Sequence, residues 1–212
     1  MGQGRITENF STEYLSYLLE SNRTEARRLI LDQFKHNIPI EHTYFGIEKT
    51  MYKIGQMWQR NEITVANEHL ASAIVHQNVM ECYQYVINQK PKKGRVITCT
   101  TQEELHDLGI KLVNHILEYQ GYDVIYLGNK LPIKDAIPFF KKENPDYIAI
   151  SVTIYTHVHH AKELIDKIKN EPQLKDSKII IGGYCFKQNP SLLKLLNYDC
   201  YIEDITDLVT KI

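Results

Sequence analysis

The spacing of apolar residues changes rhythm part-way along the chain. Over the first ninety or so residues they recur every three to four positions, which predicts amphipathic helices only. Phe10, Tyr14, Leu15 and Leu18 define the face of a first helix, capped by Asn9 or Ser11 and reaching about Glu20. After a break at Ser21 to Thr24, Ala26, Leu29, Ile30 and Phe34 define a second helix, from about Thr24 to His36. Asn37-Ile38-Pro39 ends it, and Pro39 suits the first turn of a third helix that runs to Arg60 with Tyr44, Ile47, Met51, Ile54 and Trp58. A fourth, from Thr64 to Asn88, carries Ala66, Leu70, Ala73, Ile74, Gln77, Met80 and Val86. Short connections between four helices predict an up-down bundle.

The stretch Asn88-Gln89-Lys90-Pro91-Lys92-Lys93-Gly94 is polar and holds both Pro and Gly, so it reads as a linker. It divides the chain into an expected helical bundle over residues 1–90 and a second domain over 91–212. There, apolar runs at Val96–Thr100, Asp123–Leu127, Tyr147–Thr153, Lys178–Ile181 and Cys200–Ile202 alternate with helical segments at Gly109–Tyr119, Ile133–Glu143, His157–Lys169, Ser191–Leu196 and from Asp204. Apolar strands between amphipathic helices imply a parallel sheet covered on both faces, and five of them suggest a flavodoxin-like order. The fold class is thus α followed by α/β.

Composition narrows the function by exclusion. Twenty-five basic residues against 26 acidic ones leave a formal charge of -1, so the chain lacks the basic footprint of a nucleic-acid binder. Its apolar runs all fall short of the roughly 20 residues that span a bilayer, and Met1 to Arg5 opens no signal peptide, which places the chain in the cytoplasm, away from membranes. Cys82, Cys99, Cys185 and Cys200 form no CxxC pair, arguing against a zinc knuckle or disulfide framework. The turn after the first strand has neither GxGxxG nor a P-loop. Ser151-Val152-Thr153 stands where a phosphoryl-accepting receiver needs a carboxylate.

What that first turn does hold is Glu104, His106 and Gly109, spaced as ExHxxG. An imidazole can ligate a metal through one nitrogen while the other donates to a carboxylate, and either Glu104 or Asp107 can be that carboxylate. Gly109 opens the next helix and permits close approach. Ser151-Val152-Thr153 and Gly182-Gly183 also fall at carboxyl ends of strands, where open α/β sheets bind ligands. His157, His159 and His160 read as a solvated helix start, and Tyr155 and Tyr184 as packing or rim residues.

Together, ExHxxG, Ser151-Val152-Thr153 and Gly182-Gly183 resemble the motifs of the cobalamin-binding domain family. The resemblance implies a corrinoid bound in base-off form, with His106 as the lower axial cobalt ligand and Glu104, with Asp107 beside it, orienting the imidazole. It implies that Ser151, Thr153, Gly182 and Gly183 line a slot for the displaced nucleotide tail, with Gly109 part of the same site. Glu104 stands where the family usually has Asp.

In the helical region, Trp58 followed by Glu68-His69 resembles the W…EH motif of the adenosylcobalamin-dependent photoreceptor and antirepressor branch. That implies an upper-face pocket of Trp58, Glu68 and His69, with the bundle capping the corrin. Gln59 replaces the His that commonly follows the Trp. The expectation drawn is a sensor rather than an enzyme, light-responsive through adenosylcobalamin, which signals to a transcriptional regulator or by a change of homo-oligomer. The alternative is a corrinoid methyl carrier of a methyltransferase system, using methylcobalamin.

Overall fold

In the computed structural model, residues 2–87 and 93–212 are described, with side chains from residue 9 onward. Most of the expected linker, residues 88–92, lies outside the described residues, as does the expected boundary after residue 90. The chain divides into two compact units, Met1–Ile87 and Asn88–Ile212.

The first unit is four helices: α1 (Gly2–Leu19), α2 (Arg23–Lys35), α3 (Ile40–Gln59) and α4 (Val65–Val86). The helix α1 packs on α2 and α3, and α4 closes the bundle against both. Asn9 and Ser11 do not cap α1, which runs through them. The Ser11 hydroxyl instead donates to the carbonyl of Gly46 on α3, at 3.2 Å. A Cβ at Gly46 would stand 2.5 Å from Cδ1 of Phe10, so this glycine sets how closely α1 and α3 approach. Asn22 caps α2 by accepting from the Glu25 N–H, which starts the helix slightly before the expected Thr24. Thr64 caps α4 in a reciprocal box: its hydroxyl accepts from the Asn67 N–H at 3.2 Å while Asn67 Oδ1 accepts from the Thr64 N–H at 3.0 Å. Tyr14, wholly buried, accepts a 3.0 Å hydrogen bond from Asn78, so its polar tip is satisfied.

The second unit is a five-stranded parallel sheet: β1 (Arg95–Thr100), β2 (Asp123–Tyr126), β3 (Tyr147–Ser151), β4 (Lys178–Gly182) and β5 (Cys200–Ile202), in the order β2-β1-β3-β4-β5. This is the flavodoxin-like order, whose switch point lies between β1 and β3. Helices α5 (Leu108–Tyr119), α6 (Ile133–Glu143), α7 (Val158–Lys169), α8 (Tyr184–Gln188) and α9 (Leu208–Lys211) complete it. Pro138 sits inside α6 without ending it, and Asn144, in the left-handed region at φ 46°, closes the helix.

Side chains alternate across the sheet, and the two faces differ in kind. Ile97, Cys99, Ile148, Ile150, Ile179 and Ile181 form one continuous apolar layer with Ala136 and Phe140 of α6 and Ala161, Leu164 and Ile168 of α7. Burying each isoleucine there contributes on the order of 2 kcal/mol. The alternate positions include the buried Val96 and Ile180, but Thr98, Thr100, Ala149, Ser151 and Gly182 among them are small or carry hydroxyls, and the register sets Thr100, Ser151 and Gly182 in one row across three strands. On this face the Thr98 hydroxyl donates to Asn114 of α5 at 3.1 Å.

Candidate functional site

The site loop follows β1 and is held at both ends by backbone bonds. The N–H of Glu104 donates to the Thr101 carbonyl at 3.1 Å, and the Glu104 carbonyl accepts from the Thr100 hydroxyl at 3.0 Å and the Lys130 N–H at 3.2 Å. Glu103 takes a left-handed φ of 69°, which turns the chain so that Glu104 points inward. Its side chain has no solvent exposure, whereas that of His106, two residues on, is 57% exposed.

One buried carboxylate therefore organises the loop. Its Oε1 accepts from the His106 backbone N–H at 3.0 Å and faces His106 Nδ1 at 2.6 Å. Its Oε2 accepts from the N–H groups of Thr153 and Ile154 at 2.9 and 3.0 Å, and faces Nδ1 of His157 at 3.1 Å. Burial alone would raise the Glu104 pKa. The His106 ring and the N–H groups of Ile154, His106 and Thr153 outweigh that and hold it down at about 2. An ionised carboxylate only accepts, so Nδ1 of His106 is the N–H tautomer and Nε2 carries the lone pair of the neutral ring.

The expected strand over Tyr147–Thr153 stops at Ser151. Thr153 leaves the ladder because its N–H is taken by Glu104 across the switch point, and this links the ends of β1 and β3. Asp107 does not contact the His106 ring in the same way. Its Oδ2 accepts from the Tyr126 hydroxyl at 2.9 Å and from Asn129 at 3.2 Å, with Lys111 Nζ at 3.6 Å, so it anchors the loop to the end of β2. Gly109, exposed in the first turn of α5, lies over Ser151: a Cβ there would meet only Ser151 Oγ, at 3.9 Å. Gly183 is required by the backbone instead, since its φ is 119° and a Cβ would sit 2.1 Å from the Val152 carbonyl oxygen. Gly182 is tight for a similar reason, 3.1 Å from the Ile202 carbonyl oxygen.

In the helical unit, Trp58 closes α3 and is 45% exposed. Glu68 lies in the first turn of α4, where its Oε1 accepts from the Ser72 hydroxyl at 2.7 Å and its Oε2 lies 2.6 Å from Nδ1 of the exposed His69.

Two of the three histidines expected at a solvated helix start are not solvated. His157 and His160 are 18% and 13% exposed, His157 against Glu104 and His160 3.7 Å from Glu103. Only His159 is exposed, its Nδ1 on the Thr156 carbonyl. Their neighbour in sequence offers no carboxylate; the partners come from the loop after β1, which is why local spacing does not reveal them. A groove of about 860 Å³ beside the loop is lined by Glu103, Leu105, Lys130, Lys134 and Lys167 among others but not by His106 or Ser151, so it is separate from this site.

Among the described residues, no group of three or more His, Cys, Asp or Glu side chains forms a metal cage. A metal held through His106 would draw its other ligands from elsewhere than a protein cage, and a corrin ring supplies them. Ser151, which lies against Gly109, and Gly182 beside it in the register are small, so the strand ends here leave room that large apolar side chains would fill. These residues fit a corrinoid.

Comparison with known proteins decides the family. A B12 binding domain family matches residues 94–208, and a second B12 binding domain family matches residues 11–82. The chain belongs to the B12 binding domain family. Cobalamin is its cofactor. It is 25% identical over 175 residues to dimethylamine corrinoid protein 2 of Methanosarcina acetivorans, covering 82% of this chain and 80% of that one. It is 25% identical to trimethylamine corrinoid protein 1 of the same organism, over 82% of this chain and 81% of that one. The fold matches the structure of Methanosarcina barkeri monomethylamine corrinoid protein with a TM-score of 0.82, at 15% identity and over 96% and 97% of the two chains. These relatives overturn the expectation of an adenosylcobalamin light sensor acting on a transcriptional regulator: they are methylamine corrinoid proteins. No helix among the described residues is long and apolar enough to cross a membrane.

Proposed function

We propose that this chain is a corrinoid methyl carrier, serving a methyltransferase partner rather than catalysing a reaction alone. The observation that carries the reading is the Glu104–His106 pair: a buried, ionised carboxylate 2.6 Å from the Nδ1 of an exposed imidazole, in a chain whose relatives are dimethylamine and trimethylamine corrinoid proteins. When bound, the corrinoid supplies a cobalt centre that takes up a methyl group from one partner and yields it to another.

The protein's part is to hold and tune. In this reading His106 would hold cobalt through Nε2, and Glu104 would fix its tautomer and raise its basicity. Thr100, Ser151 and Gly182, with Gly109 above and Thr153 and Gly183 at the strand ends, receive the nucleotide tail, and Asp107 keeps the loop on β2. Trp58, Glu68 and His69 of the helical unit are the proposed contacts with the cobalt's other ligand. A methylated amine is the substrate class, because the relatives carry those names.

The test is direct. The chain is reconstituted with cobalamin, reduced to Co(I), and treated with methyl iodide, and the absorption spectrum is followed before and after addition of a thiol acceptor with a methylcorrinoid:thiol methyltransferase. Uptake and return of one methyl per cobalt is expected. Stable cobalamin binding with no methylation would sink the carrier reading. Trp58→Ala should weaken methylcobalamin binding without changing the thermal midpoint of the apoprotein; unchanged binding would remove Trp58 from the site.

A further inference from the structure

Two imidazoles converge on Glu104. His106 faces Oε1 from the same loop, and His157 faces Oε2 from the 3-10 turn Tyr155–His157 that joins β3 to α7. The two rings are in different surroundings: His106 is 57% exposed and His157 is 18% exposed. The His157 backbone N–H is used within its own turn, on the Ile154 carbonyl at 2.9 Å, so its ring is the only part of the residue that reaches the carboxylate.

Orientation of the carboxylate does not depend on His157. Oε2 already accepts the N–H groups of Thr153 and Ile154, and Oε1 accepts both the backbone and the ring of His106. Four bonds thus fix the plane without it. What the His157 donor adds is charge withdrawal from the far oxygen. A carboxylate shared among more donors pulls less strongly on each, so a bond from His157 to Oε2 weakens the pull of Oε1 on the Nδ1 proton of His106 and lowers the basicity of its Nε2.

We propose that His157 is a positioning residue of the corrinoid site that moderates the strength of the His106–cobalt bond through Glu104. The inference rests on the reading of His106 as the axial ligand. It is opposite in sign to a structural role: loss of a supporting residue should loosen the axial bond, whereas loss of a moderating donor should tighten it.

The experiment uses the full chain reconstituted with cobalamin and compares wild type with His157→Phe, which fills the ring volume without a donor, and His157→Asn, which keeps an N–H near the position of Nδ1. The Co(II) form is read by electron paramagnetic resonance for the axial nitrogen splitting, and the Co(II)/Co(I) midpoint by spectroelectrochemistry. His157→Phe should strengthen axial ligation about tenfold, a midpoint about 59 mV more negative for this one-electron couple, and His157→Asn should return towards wild type. An unchanged or more positive midpoint in the Phe variant would overturn the inference, and so would failure of Asn to restore it. Should the Phe variant not fold, His157→Leu asks the same question with the same two outcomes. If wild type itself shows no axial nitrogen splitting, or His106→Ala keeps it, the reading of His106 fails instead, which separates the two claims.

Discussion

Glu104 and His106 are joined twice through a single oxygen: Oε1 accepts the His106 backbone N–H at 3.0 Å and lies 2.6 Å from its ring nitrogen. Main chain and side chain of His106 are thereby fixed to the same atom, so the ring cannot turn without giving up its own bond to the oxygen that also anchors the loop. A Gln at 104 can keep that oxygen, but its amide nitrogen then faces the N–H groups of Thr153 and Ile154, donor against donor. Glu104→Gln is expected to lower cobalamin affinity by about 10–100-fold. It should also destabilise the apoprotein by about 3 kcal/mol, through two unsatisfied N–H groups in a buried site. Spectrophotometric titration and urea unfolding measure the two effects, and wild-type affinity in this variant would remove Glu104 from the ligand's control.

The glycines of the site divide into two classes, which substitution by alanine should separate. At Gly183 a Cβ would stand 2.1 Å from the Val152 carbonyl oxygen at a φ of 119°, so Gly183→Ala should cost several kcal/mol, on the order of 3 or more, with or without cofactor. At Gly109 the Cβ has room within the protein, its nearest neighbour being Ser151 Oγ at 3.9 Å. Gly109→Ala should leave apoprotein unfolding within about 0.5 kcal/mol of wild type or make it slightly more stable, while reducing cobalamin affinity. A Gly109→Ala protein that binds cobalamin as wild type does would show that the space above Ser151 is not used.

Acid should destabilise the apoprotein of this family member in two stages. Burial on α5, aided by the charge of Lys111, pushes His115 down from 6.5 to about 4, and hydrogen bonding holds Glu104 at about 2 against an ordinary 4.5. Both folded-state values lie below the unfolded ones, so the unfolded chain binds more protons in each window and stability is lost as pH falls. The His115 contribution is complete above about pH 6.5 and fades towards pH 4; that of Glu104 is complete above about pH 4.5 and fades towards pH 2. Between pH 7 and pH 5 the first stage amounts to about 2 kcal/mol. In urea unfolding at those two values, His115→Leu should lose markedly less stability than wild type; an equal loss would show that His115 is not the group responsible.

Much of this architecture is legible along the chain, and what is not has a common cause. The faces of α2 and α3, the parallel strands and the position of His106 after β1 all follow from local spacing, because each element buries a stripe whose period is its own. The choice between Glu104 and Asp107 is not local: it is made by Tyr126 and Asn129, which engage Asp107 from the end of β2. His157 escapes for the same reason, its partner Glu104 lying 53 positions away. Ser11 resembles a helix cap but spends its hydroxyl on Gly46, 35 positions on. The misreading as a light sensor arose differently. A Trp and a Glu-His pair at the right separation fix where side chains lie on two helices, not which group they meet there.

The sheet separates two demands that usually compete. On one face, Ile97, Ile148, Ile150, Ile179 and Ile181 meet α6 and α7 and secure the fold; on the other, Thr98 and Thr100 donate their hydroxyls to Asn114 and the Glu104 carbonyl, while Ser151 and Gly182 keep the strand ends small. Because successive residues of one strand serve opposite faces, neighbours such as Ile150 and Ser151 meet different surroundings: the first packs in the apolar layer, the second lies beneath Gly109. A change at Ser151 can therefore alter the strand end while the apolar layer to which Ile150 belongs stays as it is.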